Sequence, residues 1–254
     1  MIKAVKVKDL INLARKAGDD IIKLYRTNFG IDYKEDRSPL TEADIISNKI
    51  ITDELKRLYP EILIISEENR DIPYYKRKNW EYFWLVDPLD GTKEFISRNG
   101  EFTVNIALIC NGSPSMGVVY VPVKDTIYYG DKDGSFKQEG SNEVIKLKID
   151  KNKKNKGRII VVASRSHFNK EIESFIMDLG KEYELINAGS SLKFCLVAEG
   201  KADIYLRLGP TMEWDTAAAH AIVKFAGGRV YDYKTKKELK YNKESLLNDW
   251  FVVE

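Results

Sequence analysis

Two carboxylates, Asp87 and Asp90, stand three residues apart at the end of an apolar run, with Pro88 between them and Gly91 just after. Pro88 fixes one backbone angle and Gly91 permits a turn that a side chain would hinder, so both carboxylates can face one point. Held that close, they repel. Either one keeps its proton or a hard cation such as Mg²⁺ sits between them. A second apolar run, Ile62-Leu63-Ile64-Ile65, also ends in acid, at Ser66-Glu67-Glu68, which suggests one shared site. After the glycine, Thr92-Lys93-Glu94-Phe95 can open a helix whose free N–H groups would face an anion such as phosphate. Alone, D-P-L-D-G-T would read as an Asp-rich turn with a cap. The second acidic strand end moves the reading towards a metal site.

The elements that must hold these residues follow from periodicity. Residues 82–86 and 62–65 read as short buried strands that deliver Asp87 and Glu67 from their ends. Over 7–25, Leu10, Ala14, Ala17, Ile21 and Leu24 or Tyr25 recur at helical spacing, giving a scaffold helix. The pattern breaks into a loop around 36–40, and Thr41-Glu42-Ala43-Asp44 looks like a capping box opening a helix that runs to about residue 59. On the residues alone, Asp44 is that helix's capping acid. Residues 74–80, polar, aromatic and lysine-rich, suit an exposed loop. Phe102, Val104, Ile106 and Leu108 alternate with Thr103, Asn105 and Ala107, as in a half-buried strand, and Asn111-Gly112 turns the chain back into 116–121. Segments 126–129, 135–138 and 143–149 extend this antiparallel series.

Beyond Gly157, strands at 158–163, 183–186 and 202–206 alternate with helices at 170–179 and 190–198. A last helix opens at Trp214-Asp215, carries the small run Ala217-Ala218-Ala219 and stops at Gly227-Gly228. The expected fold class is mixed, α+β over 1–150 and α/β over 151–254, with the site's second half in the latter. There, Ser190 and Lys193 lie three apart at a helix start, and a hydroxyl beside an ammonium suits a phosphate. Ser190 reads equally as an N-cap, Arg207 as a surface ion pair, Ser164-Arg165-Ser166-His167 as a polar turn, and Asp215 as a cap.

Composition excludes several classes. The 254 residues are 43% hydrophobic and 31% charged with a net charge of +2, enough for one large core or two modest ones and without a bias towards nucleic acid. The most basic stretch, 146–158, also carries Asp and Asn and reads as a solvated loop. No stretch approaches the roughly 20 apolar residues of a membrane span. The expected compartment is the cytoplasm, with peripheral attachment to the inner face of the membrane left open. Cys110 and Cys195 form no C-x-x-C pair and read as reduced core thiols, while His220 reads as packed.

Three separated motifs, S-E-E at Ser66, W-L-V-D-P-L-D-G-T-K-E-F at Trp84 and W-D-T-A-A-A-H at Trp214, resemble the signature of the inositol monophosphatase superfamily of metal-dependent, lithium-sensitive phosphatases. The runs Asn99 to Leu108 and Gly189 to Gly200 are similar to its CysQ-type 3'(2'),5'-bisphosphate nucleotidases, and the likeness covers nearly the whole chain. The resemblance implies a layered αβαβα sugar-phosphatase-like fold and two or three Mg²⁺ ions, with Mn²⁺ as a substitute. Glu67, Asp87 and the Leu89 carbonyl would hold one ion, and Asp87, Asp90 and Asp215 a second. Asp44 and Thr92 would orient and deprotonate the attacking water, and Glu68 would orient water nearby. Gly91 and Thr92 amides would bind phosphate oxygens, with Glu67, Leu89, Asp90 and Asp215 also touching substrate. Ser164, His167, Ser190, Lys193 and Arg207 would line a nucleotide pocket. The implied reaction is hydrolysis of adenosine 3',5'-bisphosphate to AMP and phosphate, or of its 3'-phosphorylated sulfate conjugate, in sulfur assimilation. The partner is thus a small nucleotide bisphosphate, and the chain a monomer or homodimer. Inositol monophosphatase or fructose 1,6-bisphosphatase is the neighbouring alternative, and a non-catalytic nucleotide sensor the distant one. An aspartyl-phosphate mechanism is disfavoured because two residues, not one, separate the acids.

Overall fold

A computed structural model describes residues 5–33, 39–150, 157–163, 170–178 and 180–254. Helix α1 (Val7–Tyr25) buries Leu10, Leu13, Ala14, Ala17 and Ile21, one stripe at three- and four-residue spacing. The strands β1 (Ile31–Tyr33) and β2 (Pro39–Thr41) pair antiparallel, and Thr41 then caps α2 (Glu42–Leu58). A seven-stranded sheet follows in chain order: β3 (Leu63–Ser66), β4 (Tyr82–Asp90), β5 (Thr103–Cys110), β6 (Ser113–Val121), β7 (Thr126–Asp131), β8 (Gly134–Glu139) and β9 (Ile145–Leu147). Only β3 and β4 are parallel. Two short helices interrupt it, α3 (Tyr74–Arg77) and α4 (Thr92–Ile96). The remainder is β10 (Arg158–Ala163), α5 (Lys170–Asp178), β11 (Glu182–Asn187), α6 (Leu192–Ala198), β12 (Ile204–Arg207), α7 (Glu213–Phe225), β13 (Val230–Asp232) and β14 (Phe251–Val253). Its five strands are ordered β11-β10-β12-β14-β13, parallel across β11-β10-β12 and antiparallel beyond.

Stacking gives the expected αβαβα order. Side chains of α1 and α2, such as Leu10, Ile21, Ile51 and Leu55, pack with Trp84, Val86, Val104 and Ile106 on one face of the large sheet. The other face, through Leu85, Ala107, Ile109 and Val119, meets α6 and α7, which in turn cover Tyr205, Phe251 and Val253 of the small sheet. Helix α5 closes the far side with Ile172 and Ile176 over Ile159, Val161, Ile204 and Leu206. Helix α7 approaches β6 so closely that a Cβ at Gly117 would stand 2.2 Å from the Ala218 carbonyl oxygen. That contact seats the N-terminus of α7 beside the end of β4.

Several local expectations change. Strand β5 is buried on both faces, because the polar side chains expected to meet water, Thr103 and Asn105, instead face the site. The 74–80 segment contains a helical turn, and Arg77 is buried, donating to Asn242 Oδ1 and to the Ile72, Lys243 and Glu244 carbonyls. Cys195 is fully buried as expected, but Cys110 is partly exposed at a strand end. His220 is packed, its Nδ1 3.0 Å from the Tyr241 hydroxyl.

Candidate active site

Strand β4 does not stop before its acids but runs through them to Asp90, and a bulge sets their geometry. Asp87 pairs with Asn105 and Asp90 with Thr103, so β4 advances three residues while β5 advances two. In a regular strand, residues three apart point to opposite faces; one extra residue restores a common face. The bulge falls at Pro88 and Leu89, where a missing ladder N–H is tolerated. Ser47, buried on α2, donates to the Pro88 carbonyl at 2.7 Å and pins it. Gly91 then takes φ +92°, where an added Cβ would also crowd Ser190 at 3.3 Å. Because β3 runs parallel to β4, with Glu67 N–H donating to the Val86 carbonyl, Glu67 emerges beside Asp87.

In Asp87, Asp90 and Asp215 the described donors all reach a single carboxylate oxygen. Asp87 Oδ1 accepts from the Leu89 N–H at 3.1 Å, and Asp215 Oδ2 from the Met212 N–H at 2.8 Å. Asp90 Oδ2 accepts from the Ser191 N–H (2.7 Å) and hydroxyl (2.8 Å), with longer contacts to Asn105 Nδ2 (3.4 Å) and Thr103 Oγ1 (3.5 Å). Asp44 Oδ2 accepts from the Thr41 N–H (2.7 Å) and hydroxyl (2.6 Å), while its Oδ1 accepts from Thr92 Oγ1 at 3.2 Å. Asp44 is therefore at once the capping acid of α2 and the partner of Thr92.

A cleft of about 530 Å³ is lined by Glu67, Asp87, Leu89, Asp90, Gly91, Thr92 and Asp215 among others. Glu68 lies in the turn after β3 and does not line it. Burial, with repulsion from Glu67, Asp90, Asp215 and Asp44, pushes the Asp87 carboxyl well up. Burial and repulsion from Asp90 and Glu67 do the same to Asp215, and burial raises Asp90 against relief from Lys193, Ser191 and Asn105. Among the described residues, none of these three aspartates has an ion-pair partner within 4.0 Å. Buried carboxylates left to repel fit a hard, oxygen-seeking cation. Among the described residues no three acidic, histidine or cysteine side chains close into a ready cage. An open wall of oxygens suits Mg²⁺, which keeps waters and uses only one or two carboxylates together with substrate phosphate.

A smaller recess of about 150 Å³ adjoins the cleft, sharing Asp90, Gly91, Arg207 and Asp215 and adding Ser190, Lys193, Phe194 and Tyr205. Ser190 is not the N-cap its position suggested: it precedes α6 with φ +41°, and Ser191 stands at the cap. Lys193, buried, donates from Nζ to the Ser190 carbonyl at 2.7 Å and lies 5.4 Å from the Tyr205 ring centre. Burial pulls its ammonium down to about 8, with Arg207 adding and Asp90 opposing. Arg207 makes no described ion pair but donates from Nη2 to the Pro210 carbonyl at 2.8 Å. Ser190 Oγ and Arg207 Nε are both buried and have no hydrogen-bond partner among the described residues. Ser164 and His167 lie outside the described residues. Sequence reasoning missed Ser191, Asn105 and Ser47, whose roles rest on contacts 101, 15 and 41 residues away.

With this geometry in hand, comparison with known proteins is specific. The chain matches the inositol monophosphatase family over residues 5–250. It is 46% identical over 251 residues to the 3'(2'),5'-bisphosphate nucleotidase CysQ of Salmonella typhimurium, covering 97% of this chain and 98% of that one. The corresponding Buchnera aphidicola protein is 43% identical over 94% of this chain and 88% of its own. The crystal structure of CysQ from Bacteroides thetaiotaomicron, a bacterial member of the inositol monophosphatase family, superposes with a TM-score of 0.86 at 44% identity, covering 98% of this chain and 96% of that one. An IMPase from Thermotoga maritima, 24% identical, shares the fold with a TM-score of 0.77 over 96% of this chain and 90% of its own. This chain belongs to the inositol monophosphatase family, whose members are metal-dependent phosphatases, and sits among its CysQ-type proteins.

Proposed function

We propose that the protein hydrolyses the 3'-phosphate of adenosine 3',5'-bisphosphate to AMP and phosphate, and that of the corresponding sulfate conjugate at the same site. The observation that carries this reading is the recess: Ser190 Oγ and Arg207 Nε, buried and without a hydrogen-bond partner among the described residues, line it beside Lys193, next to the acidic cleft. Buried donors without acceptors are costly, and a bound anion satisfies them. A substrate with two phosphates answers both neighbouring sites, one phosphate reacting in the cleft and the other anchoring in the recess. The 43–46% identical nucleotidases support the same substrate.

In this reading Glu67, Asp87 and the Leu89 carbonyl would hold one Mg²⁺, and Asp87, Asp90 and Asp215 would hold a second. Bound there, the cations supply charge neutralisation at the phosphate and its ester oxygen. Thr92 commits its hydroxyl proton to Asp44 Oδ1, which leaves its lone pairs to accept a hydrogen bond from water. Water attacks phosphorus and passes its proton towards the Thr92–Asp44 pair as the ester P–O bond breaks; the departing oxygen takes a proton from solvent, to which the pair returns the one it gained. The Gly91 and Thr92 amides hold the phosphate oxygens, and no phosphoenzyme forms. Division into halves near residue 150 and a cytoplasmic setting belong to the same proposal. Among the described residues, no helix is long and apolar enough to cross a membrane. The test is product analysis: AMP and phosphate should appear in equal amounts, stop on chelation and resume with Mg²⁺. Undiminished release after chelation would end the metal assignment, and release of the 5'-phosphate would end the orientation.

A further inference from the structure

We infer that Ser191 is a positioning residue that fixes the Asp90 carboxylate, and so sets the affinity of the cleft for its divalent cation; this rests on the metal reading above. A serine at a helix N-cap ordinarily spends its hydroxyl on the first amides of its own helix. Ser191 makes no such bond, although it stands at the cap of α6. Its hydroxyl lies 2.8 Å from Asp90 Oδ2 and 2.9 Å from the Asp215 carbonyl oxygen, and it accepts from Asn105 Nδ2 at 2.9 Å. Its N–H donates to the same Asp90 oxygen at 2.7 Å, and the residue is 1% exposed.

One side chain thus touches three elements: the bulged end of β4, the face of β5 and the first turn of α7. All the donors to Asp90 converge on Oδ2 and none of them reaches Oδ1. Among the described residues the carboxylate is therefore held by one oxygen, and the hydroxyl that holds it lies against the first turn of α7 at the Asp215 carbonyl. Of the two carboxylates, it is that of Asp90 that Ser191 holds directly, while that of Asp215 accepts from the Met212 N–H. Partners of this kind, outside the ligands themselves, typically change metal affinity about 10–100-fold when removed.

The test is a double-mutant cycle read by Mn²⁺ titration calorimetry on the metal-free protein without substrate. Ser191→Ala should weaken Mn²⁺ binding about tenfold. In an Asp90→Asn background the same change should add less than about twofold, because a group acting through Asp90 has nothing left to position. In turnover, Ser191→Ala should raise the Mg²⁺ concentration for half-activation by a similar factor and leave KM within about twofold, and Ser191→Thr should recover most of the loss. Mn²⁺ affinity unchanged by Ser191→Ala, or a loss that persists in full beside Asp90→Asn, overturns the inference. Equal Mn²⁺ binding by the parent and Asp90→Asn removes the metal reading itself, and this inference with it.

Discussion

Around Glu199 the fold surrounds a buried carboxylate with cations; around Asp87 it surrounds one with further carboxylates. Where β7 and β8 meet the end of α6, Lys137 lies 2.6 Å from Glu139 and 3.1 Å from Glu199. Lys201 lies 2.6 Å from Glu199, and Tyr128 donates its hydroxyl to it at 2.5 Å. Burial pushes the Glu199 carboxyl up, but hydrogen bonds from Lys201, Tyr128 and Lys137 outweigh it and hold it below its usual range. In the cleft burial wins, and Asp87, Asp90 and Asp215 all sit above theirs. The same chain surrounds one buried cluster with cations and leaves the other to repel, which is the contrast the proposed cation site requires.

The sharpest break in this contrast is Asp90→Asn. It should lower kcat about 10³-fold, since it removes both a cation ligand and its charge. Thermal unfolding of the metal-free variant should occur at or above the parent temperature, because a repelling charge is gone. The sign follows from linkage. A carboxyl whose native pKa lies above its unfolded value binds its proton more tightly when folded. Metal-free stability from Asp87, Asp90 and Asp215 is thus gained as pH falls through their raised native values and lost as pH rises. Substantial residual turnover in Asp90→Asn would remove the two-cation assignment.

Next in size, Thr92→Ala should cost about 10²-fold in kcat with KM nearly unchanged, while Thr92→Ser should restore most of it. Steady-state kinetics on the pair separates a hydroxyl that handles a proton from a side chain that only packs.

How much of this was legible beforehand depended on distance along the chain. The acids of D-P-L-D and S-E-E stand at strand ends and the stripe of α1 lies within one helix, so local pattern located them, whereas Asp215 reads as a helix cap and only the family resemblance ties it to the site. The bulge that puts Asp87 and Asp90 on one face is a property of β4 paired with β5, and no local pattern reveals it. Ser191 was hidden for a similar reason: its neighbour Ser190 carries the same side chain, and only the fold decides which one turns to Asp90. The alternation in β5 was real, but its polar face meets the site because a second helix layer covers what would otherwise be open.

A smaller effect on turnover is expected at the recess. Lys193→Met should lower kcat/KM for the bisphosphate about 10–100-fold, the worth of a charged hydrogen bond, and affect a monophosphate much less. The Lys193 ammonium, pulled down to about 8, is charged below that pH and neutral above it. The bisphosphate kcat/KM should therefore fall as pH rises past 8, by a factor the monophosphate does not share. Parallel pH profiles for the two substrates would deny Lys193 the anchoring role.

Smallest for activity is Lys137→Met, in the neutralised cluster. It should leave kcat within about twofold yet destabilise the fold by roughly 3 kcal/mol, because Glu199 is left buried with fewer cations. Denaturant unfolding measures the loss, and a large fall in kcat without one would erase the distinction between the clusters.

The most direct test of the account compares kcat/KM for Mg²⁺-dependent phosphate release from adenosine 3',5'-bisphosphate, inositol 1-phosphate and fructose 1,6-bisphosphate. The paired cleft and recess predict a strong preference for the nucleotide. Equal or better turnover of either sugar phosphate would leave the acidic cleft in place but contradict the nucleotide assignment.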